Sequence, residues 1–123
     1  LQAQNADRAA AGLSPLLWDE RLAAAARSRA SDMATNGYFA HTSPSGDSAF
    51  ATLQRMGISF KLAGENLARN NVPTSQSVQT AESGFMGSPT HRANILEPSF
   101  TRAGVAVSFS GDMKYFVVIY SAP

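Results

Sequence analysis

The 123-residue chain has no cysteine, and that absence excludes more than any other feature of its composition. A thiol nucleophile, a thiolate zinc site and a disulfide framework are all ruled out. Cysteine usage therefore carries no information on compartment. Charge of one sign is also missing: ten basic and nine acidic residues are interspersed and leave a net charge of +1. With no basic run and no aromatic ladder, nucleic acid is not an expected partner. No apolar run approaches the roughly 20 residues of a membrane span. The first residues, LQAQNADRAAAG, are not a basic-then-apolar export signal. If the protein is exported, the expectation is that its signal has been removed or lies outside this chain. The local signatures HExxH, GxSxG, GxxxxGK[ST] and GxGxxG are absent as well. What remains, 44% hydrophobic and 15% charged, is ordinary for one globular domain over residues 1–123, able to bury about two thirds of its unfolded surface.

Punctuation along the chain predicts the elements. Leu1 to Ala11 reads as a short helix stopped by Gly12, and Asp19 as the N-cap of a longer helix running to Asn36 and Gly37. At about 100° per residue, Leu22, Ala23, Ala26, Ala30, Met33 and Ala34 share an arc of roughly 120°, while Arg21, Arg27, Ser28, Arg29, Ser31 and Asp32 lie outside it. So small a buried face suits a helix packed flat on a sheet or another helix. Tyr38 to Asp47 is a loop, with Asp47 capping a brief helix that carries Phe50, Leu53 and Met56. ISFKLAGENLARN reads as extended because Ile58, Phe60 and Leu62 alternate with polar residues.

A helix starting at Thr74 or Ser75 and ending near Met86 puts Val78, Ala81, Glu82 and Phe85 on one stripe, so Glu82 should face inward and need a partner. In GSPTHRANILEP, Ser88 is the expected N-cap and Pro89 the first helical residue, which sets His91 near the third helical position. A positive ring is disfavoured there, so a mostly neutral imidazole is expected. GVAVSFSG and MKYFVVIYS, joined at Ser110, Gly111 and Asp112, predict an antiparallel hairpin. Its second strand is apolar at nearly every position and must be covered on both faces. The predicted fold class is therefore α+β: a three-layer α-β-α sandwich around a small, mainly antiparallel central sheet.

Only two histidines exist, His41 and His91, each beside a Ser-Pro turn. Taken singly, either one is compatible with an exposed or turn-stabilising role. The same holds for Glu65 beside Gly64, and Glu82 alone could be a solvated helix residue. Ser43 and Ser88 neighbour the histidines in sequence, which is little basis for a triad.

Together, however, LSPLLWDERLAAAARSRASDMATNGYFAHTSPSG, AGENLA, FMGSPTHRANILEPSFTRAGVAV and YFVVIYS resemble, in order and spacing, the CAP domain. This superfamily includes cysteine-rich secretory proteins, antigen-five allergens and plant pathogenesis-related proteins. The resemblance covers nearly the whole chain and points to the short, cysteine-free bacterial branch. It implies a central cleft lined by the histidine of FxHxS, His41, the glutamate of GEN, Glu65, and the histidine of SPxHR, His91. The second acidic residue of animal members falls at Ser88 when Phe85 is matched to their tryptophan, so this chain departs from the tetrad. Glu82, one helical turn earlier, is a candidate replacement by inference from its facing, not by motif.

No cofactor is required by this reading, although a divalent metal such as zinc between His41 and His91, with Glu65, is compatible with it. Three function classes follow. The first is an extracellular or cell-wall-associated, monomeric binding module for a small apolar ligand, lipid or sterol, with Met33, Tyr38, Phe39, Phe60 and Phe85 as candidate walls; a non-enzymatic role is favoured. The second is a metal-dependent hydrolase, with His41 and His91 as ligands and Glu65 or Glu82 as general base. The third is a cell-wall or protein-binding module using surface loops such as Arg69 to Ser77.

Overall fold

The side chain of Asp19 accepts hydrogen bonds from the backbone N–H groups of Arg21 and Leu22, and Gly37 closes the same helix in the left-handed conformation. These two ends fix the longest helix of the computed structural model, which describes residues 1–123. In chain order the elements are α1 (Gln2–Ala10), β1 (Leu17–Trp18), α2 (Glu20–Asn36), α3 (Ala49–Arg55), β2 (Leu62–Asn70), α4 (Thr74–Met86), α5 (Pro89–Ile95), β3 (Arg102–Ser110) and β4 (Met113–Ala122). The sheet runs β1-β3-β4-β2. Both β2 and β3 pair antiparallel with β4, whereas β1 pairs parallel with β3 at Arg102 and Ala103. The sheet is thus mixed, and β1, too short to show periodicity, is the one strand the sequence does not announce.

Alternation along β4 builds both layers. Tyr115, Val117 and Ile119 join Leu22, Ala25, Ala26, Ala30 and Met33 of α2, with Leu53 of α3, in one core. Val118 and Tyr120 face the opposite side and meet Leu16, Phe85, Ile95 and Phe100, so α1, α4 and α5 form the other layer. The alanine face of α2 has a partner of matching size: a Cβ on Gly104 of β3 would lie 2.0 Å from the backbone nitrogen of Ala23. The helix therefore rests directly on the strand backbone.

Several local expectations shift. Ser48, not Asp47, caps α3, because the Asp47 carboxylate is turned to Arg55 and to the N–H of Ser48. Of the three apolar contacts expected of this segment only Leu53 is buried; Phe50 in α3 and Met56 just past it are exposed. The strand runs only from Leu62, so GEN lies inside a strand, not beside a turn. Arg29, outside the apolar arc of α2, is only 3% exposed. Periodicity excludes charged residues from a core face, and Arg29 is buried because a carboxylate waits beneath it.

Candidate functional site

Glu65 and Asn66 are consecutive on β2 and therefore point to opposite faces of the sheet. On the α2 side, Glu65 Oε2 accepts from Arg29 Nε, and Glu65 Oε1 accepts from a terminal guanidinium nitrogen of Arg29 at 3.0 Å. The same nitrogen reaches the carbonyl of His41 at 2.8 Å. His41 Nδ1 donates to Glu65 Oε1 at 2.9 Å, since an ionised carboxylate can only accept. That bond fixes the tautomer and leaves Nε2 facing outward on a ring 62% exposed. Glu65 thus anchors the His41 loop through Arg29, with both oxygens engaged.

On the other face, the Asn66 amide donates to the carbonyl of His91 at 2.9 Å and to the Tyr120 hydroxyl at 3.1 Å. Its Oδ1 accepts from Asn94 at 2.9 Å, and Asn94 also donates to the carbonyl of Glu65 at 3.2 Å. One strand dipeptide therefore holds both histidine segments. Pro89, Thr90 and His91 are the first three residues of α5, as expected, although Ser88 caps it without a side-chain hydrogen bond. The His91 ring rests against Phe85, centroids 5.4 Å apart. Burial, and then the nearby His41, hold its pKa below the ordinary 6.5. The direction agrees with the neutral ring expected at a helix start, and desolvation is its chief cause. His91 and Ser88 share a wall with Phe39, Arg69 and Phe85 in a cleft of about 540 Å³, where Arg69 lies 4.7 Å above the Phe39 ring. His41 and Glu65 line an adjoining one with Asn94.

Glu82 is elsewhere. It is buried, as its stripe predicted, but it opens onto a cavity of about 200 Å³ between α1, α4 and the sheet, not onto the histidines. Ten of the twelve lining residues are apolar, among them Leu1, Val78, Phe85, Val105 and Val118; Gln4 and Glu82 supply the only polar side chains. Val78, expected in the core, is 60% exposed at the rim because α4 lies over this cavity rather than flat on the sheet. Gln4 Nε2 donates to Glu82 Oε1 at 3.0 Å, and Gln4 Oε1 accepts from Tyr120. A continuous buried chain, Glu82–Gln4–Tyr120–Asn66, links this cavity to the backbone of His91. Desolvation, then Asp7, pushes the Glu82 carboxyl up to about 7.

No three histidine or carboxylate side chains converge as a set of metal ligands. Glu65 is engaged by Arg29 and His41, and Glu82 faces the apolar cavity. The catalytic zinc pattern of three protein ligands and an open position is therefore not assembled. Sequence reasoning missed Arg29, Asn66, Asn94 and Gln4. Asn66 was legible as the strand neighbour of Glu65; Gln4 and Arg29 left no signal, because their partners lie 78 and 36 residues away. Of the proposed apolar walls, Met33 is core, Tyr38 and Phe60 pack against the core, Phe39 lines the histidine cleft, and Phe85 separates that cleft from the apolar cavity.

The fold has known counterparts. The chain is 41% identical over 109 residues to the uncharacterized protein YkwD of Bacillus subtilis (strain 168), covering 89% of this chain and 41% of that protein. It superposes with a TM-score of 0.86 and 32% identity on a crystal structure of an extracellular protein containing an SCP domain from Bacillus anthracis str. Ames, over 98% of this chain and 38% of that one. An outer surface protein from Borrelia burgdorferi, 20% identical with a TM-score of 0.85 over 98% of this chain and 87% of its own, shares the fold. The chain thus spans about two fifths of the first two relatives. The CAP model, described as the cysteine-rich secretory protein family, matches residues 1–120, and with the strand-held histidine pair and the α-β-α layers this chain, itself without cysteine, belongs to that family.

Proposed function

We propose that the chain is an extracellular or cell-wall-associated CAP module that binds a small apolar ligand of the lipid class without transforming it. The observation that carries this reading is the cavity between α1, α4 and the sheet, with apolar residues at ten of its twelve positions. A concave apolar site with few polar groups is the usual form of a small-molecule site. Its volume of about 200 Å³ falls below the roughly 300–1,000 Å³ of drug-sized sites, which favours one acyl chain over a whole sterol. A hydrolytic reading has less support, since of its two candidate bases Glu65 is held in a buried ion pair with Arg29 and Glu82 faces the apolar cavity away from the histidines. The extracellular placement is drawn from the relatives described as extracellular or outer-surface proteins.

The test is retention of radiolabelled lipids by the purified protein. Single-chain lipids should be retained above a non-binding control protein and displaced by unlabelled lipid of the same kind; retention equal to that control overturns the proposal.

A further inference from the structure

A further cavity, of about 390 Å³, is lined by α2, the loop that follows it and α3, and it shares no residue with the apolar cavity or the histidine clefts. Of its eleven lining residues only Tyr38 is hydrophobic. One face of α2 supplies Ser28, Ser31, Asp32, Thr35 and Asn36, which recur at helical spacing. Arg29, buried in the same wall, spends Nε and Nη2 on Glu65 and on the carbonyls of Ala40 and His41, while its Nη1 meets no acceptor in the protein. Asp32 accepts from the Asn36 amide at 2.7 Å through one oxygen and from the Tyr38 hydroxyl through the other, so each oxygen keeps a free lone pair. Charge in the cavity is nearly balanced. Glu65 offsets Arg29, and Arg55 offsets Asp47 at 2.6 and 2.7 Å, whereas Asp32 bonds only neutral groups.

These groups select by chemistry. A hydroxyl uses both kinds at once, its oxygen accepting from a guanidinium while its hydrogen is donated to a carboxylate. An anion would be repelled by Asp32, and a divalent cation would meet Arg29 without the three carboxylate or imidazole ligands to hold it. We propose that this cavity is a second binding site on the chain and holds an uncharged sugar unit, with Asp32 accepting from its hydroxyls, Arg29 Nη1 donating to one of them and the Tyr38 ring against its C–H face. The volume falls within the roughly 300–1,000 Å³ of small-molecule sites. Ser28, Ser31, Thr35 and Asn36 leave one side of the cavity exposed, so the unit is either a free sugar or one residue of a glycan chain. The site is independent of the apolar cavity and of the ligand proposed there.

The experiment titrates glucose, N-acetylglucosamine, cellotetraose, chitotetraose and glucuronate into isotope-labelled protein, following the amide resonances of Ser28 to Asp47 and the side-chain N–H resonances of Arg29. At least one neutral sugar should shift these signals with a dissociation constant below about 10 mM and leave the methyls of Val105 and Val118 unmoved. A tetramer bound at least about tenfold more tightly than its monomer assigns the site to a glycan chain, and equal affinities assign it to a free sugar; either result supports the site. Glucuronate should bind at least about tenfold more weakly than the neutral sugar. Asp32→Asn should weaken the neutral sugar about tenfold. Thr35→Gln, at an exposed helix position where glutamine is a good helix former, should weaken it by narrowing the cavity. Glucuronate bound as tightly as the neutral sugar, or affinity unchanged in both variants, overturns the proposal. So does a failure of all four neutral sugars to shift these signals, or shifts confined to residues outside Ser28 to Asp47.

Discussion

Glu65 is buried with Arg29, and neither can be removed alone without stranding the other's charge. Breaking a buried ion pair costs about 3–5 kcal/mol, whereas replacing both partners by apolar residues costs far less. Glu65→Leu should therefore destabilise by about that amount in urea unfolding, and Arg29→Met with Glu65→Leu by clearly less than the sum of the single changes. Equal, additive losses would mean that the pair is not coupled. His91 gives the pH-sensitive case. Its folded pKa is lowered, so its contribution to stability is present above the unfolded value near 6.5 and is lost as pH falls through the folded one. An NMR titration should find His91 titrating below 6.5, and His41→Ala should move it upward, because repulsion from the nearby His41 adds to burial in lowering it. At this scale the sequence was legible where a motif named the residue: β2 ties down the segments of both motif histidines, Glu65 by bonding His41 and Asn66 by bonding the carbonyl of His91, although the two rings line separate clefts. It was mute where a polar residue owes its place to a distant partner, as for Arg29 and Gln4, since periodicity weighs a side chain only against its own element.

Among the elements, α2 and β3 meet backbone to backbone. Gly104 is there for lack of a side chain: a Cβ would fall 2.0 Å from the Ala23 nitrogen and 2.4 Å from the Leu22 carbonyl carbon. Backbone cannot step aside as a flexible side chain does, so Gly104→Ala should lower stability by about 3 kcal/mol or more in thermal or urea unfolding. A loss below about 1 kcal/mol would show that α2 can lift away. The alanine face of α2 was readable as a close-packing surface, and its partner was not, because a glycine in a strand carries no pattern. Caps and stops placed the longer helices well; α2 begins and ends where Asp19 and Gly37 direct. β1 escaped notice because two residues form a strand only when Arg102 and Ala103 are already in place to receive them.

The whole molecule depends on α1 staying docked, since α1 supplies one wall of the apolar cavity. Arg8 does this work from a buried position, donating to the carbonyls of Ser14, Ile95, Glu97 and Phe100 at 2.8–3.3 Å. Its planar fork serves acceptors from two segments at once, which a lysine cannot reproduce. Arg8→Met should cost about 3–5 kcal/mol by leaving those carbonyls unpaired, and Arg8→Lys should recover only part of it. Hydrogen exchange should localise the loosening to α1 and the turn after α5; uniform loosening would argue against the clasp. The three-layer plan itself was legible from one strand, because Tyr115 to Tyr120 is apolar on both faces and demands two covers. The division of the cleft into a polar histidine side and a separate apolar side was not, since both open around α4 and share Phe85.

The shortness of β1 has an outcome of another kind. Past Ala103 the outer margin of β3 carries no neighbouring strand, and Phe109, 59% exposed, lies near its end. An uncovered margin of this sort is a template on which another polypeptide can add a strand, and nature usually blunts it with charge or proline. Here it carries neither from Gly104 to Ser110. Self-association in concentrated preparations should begin at this margin, and the residue at which to interrupt it is Phe109.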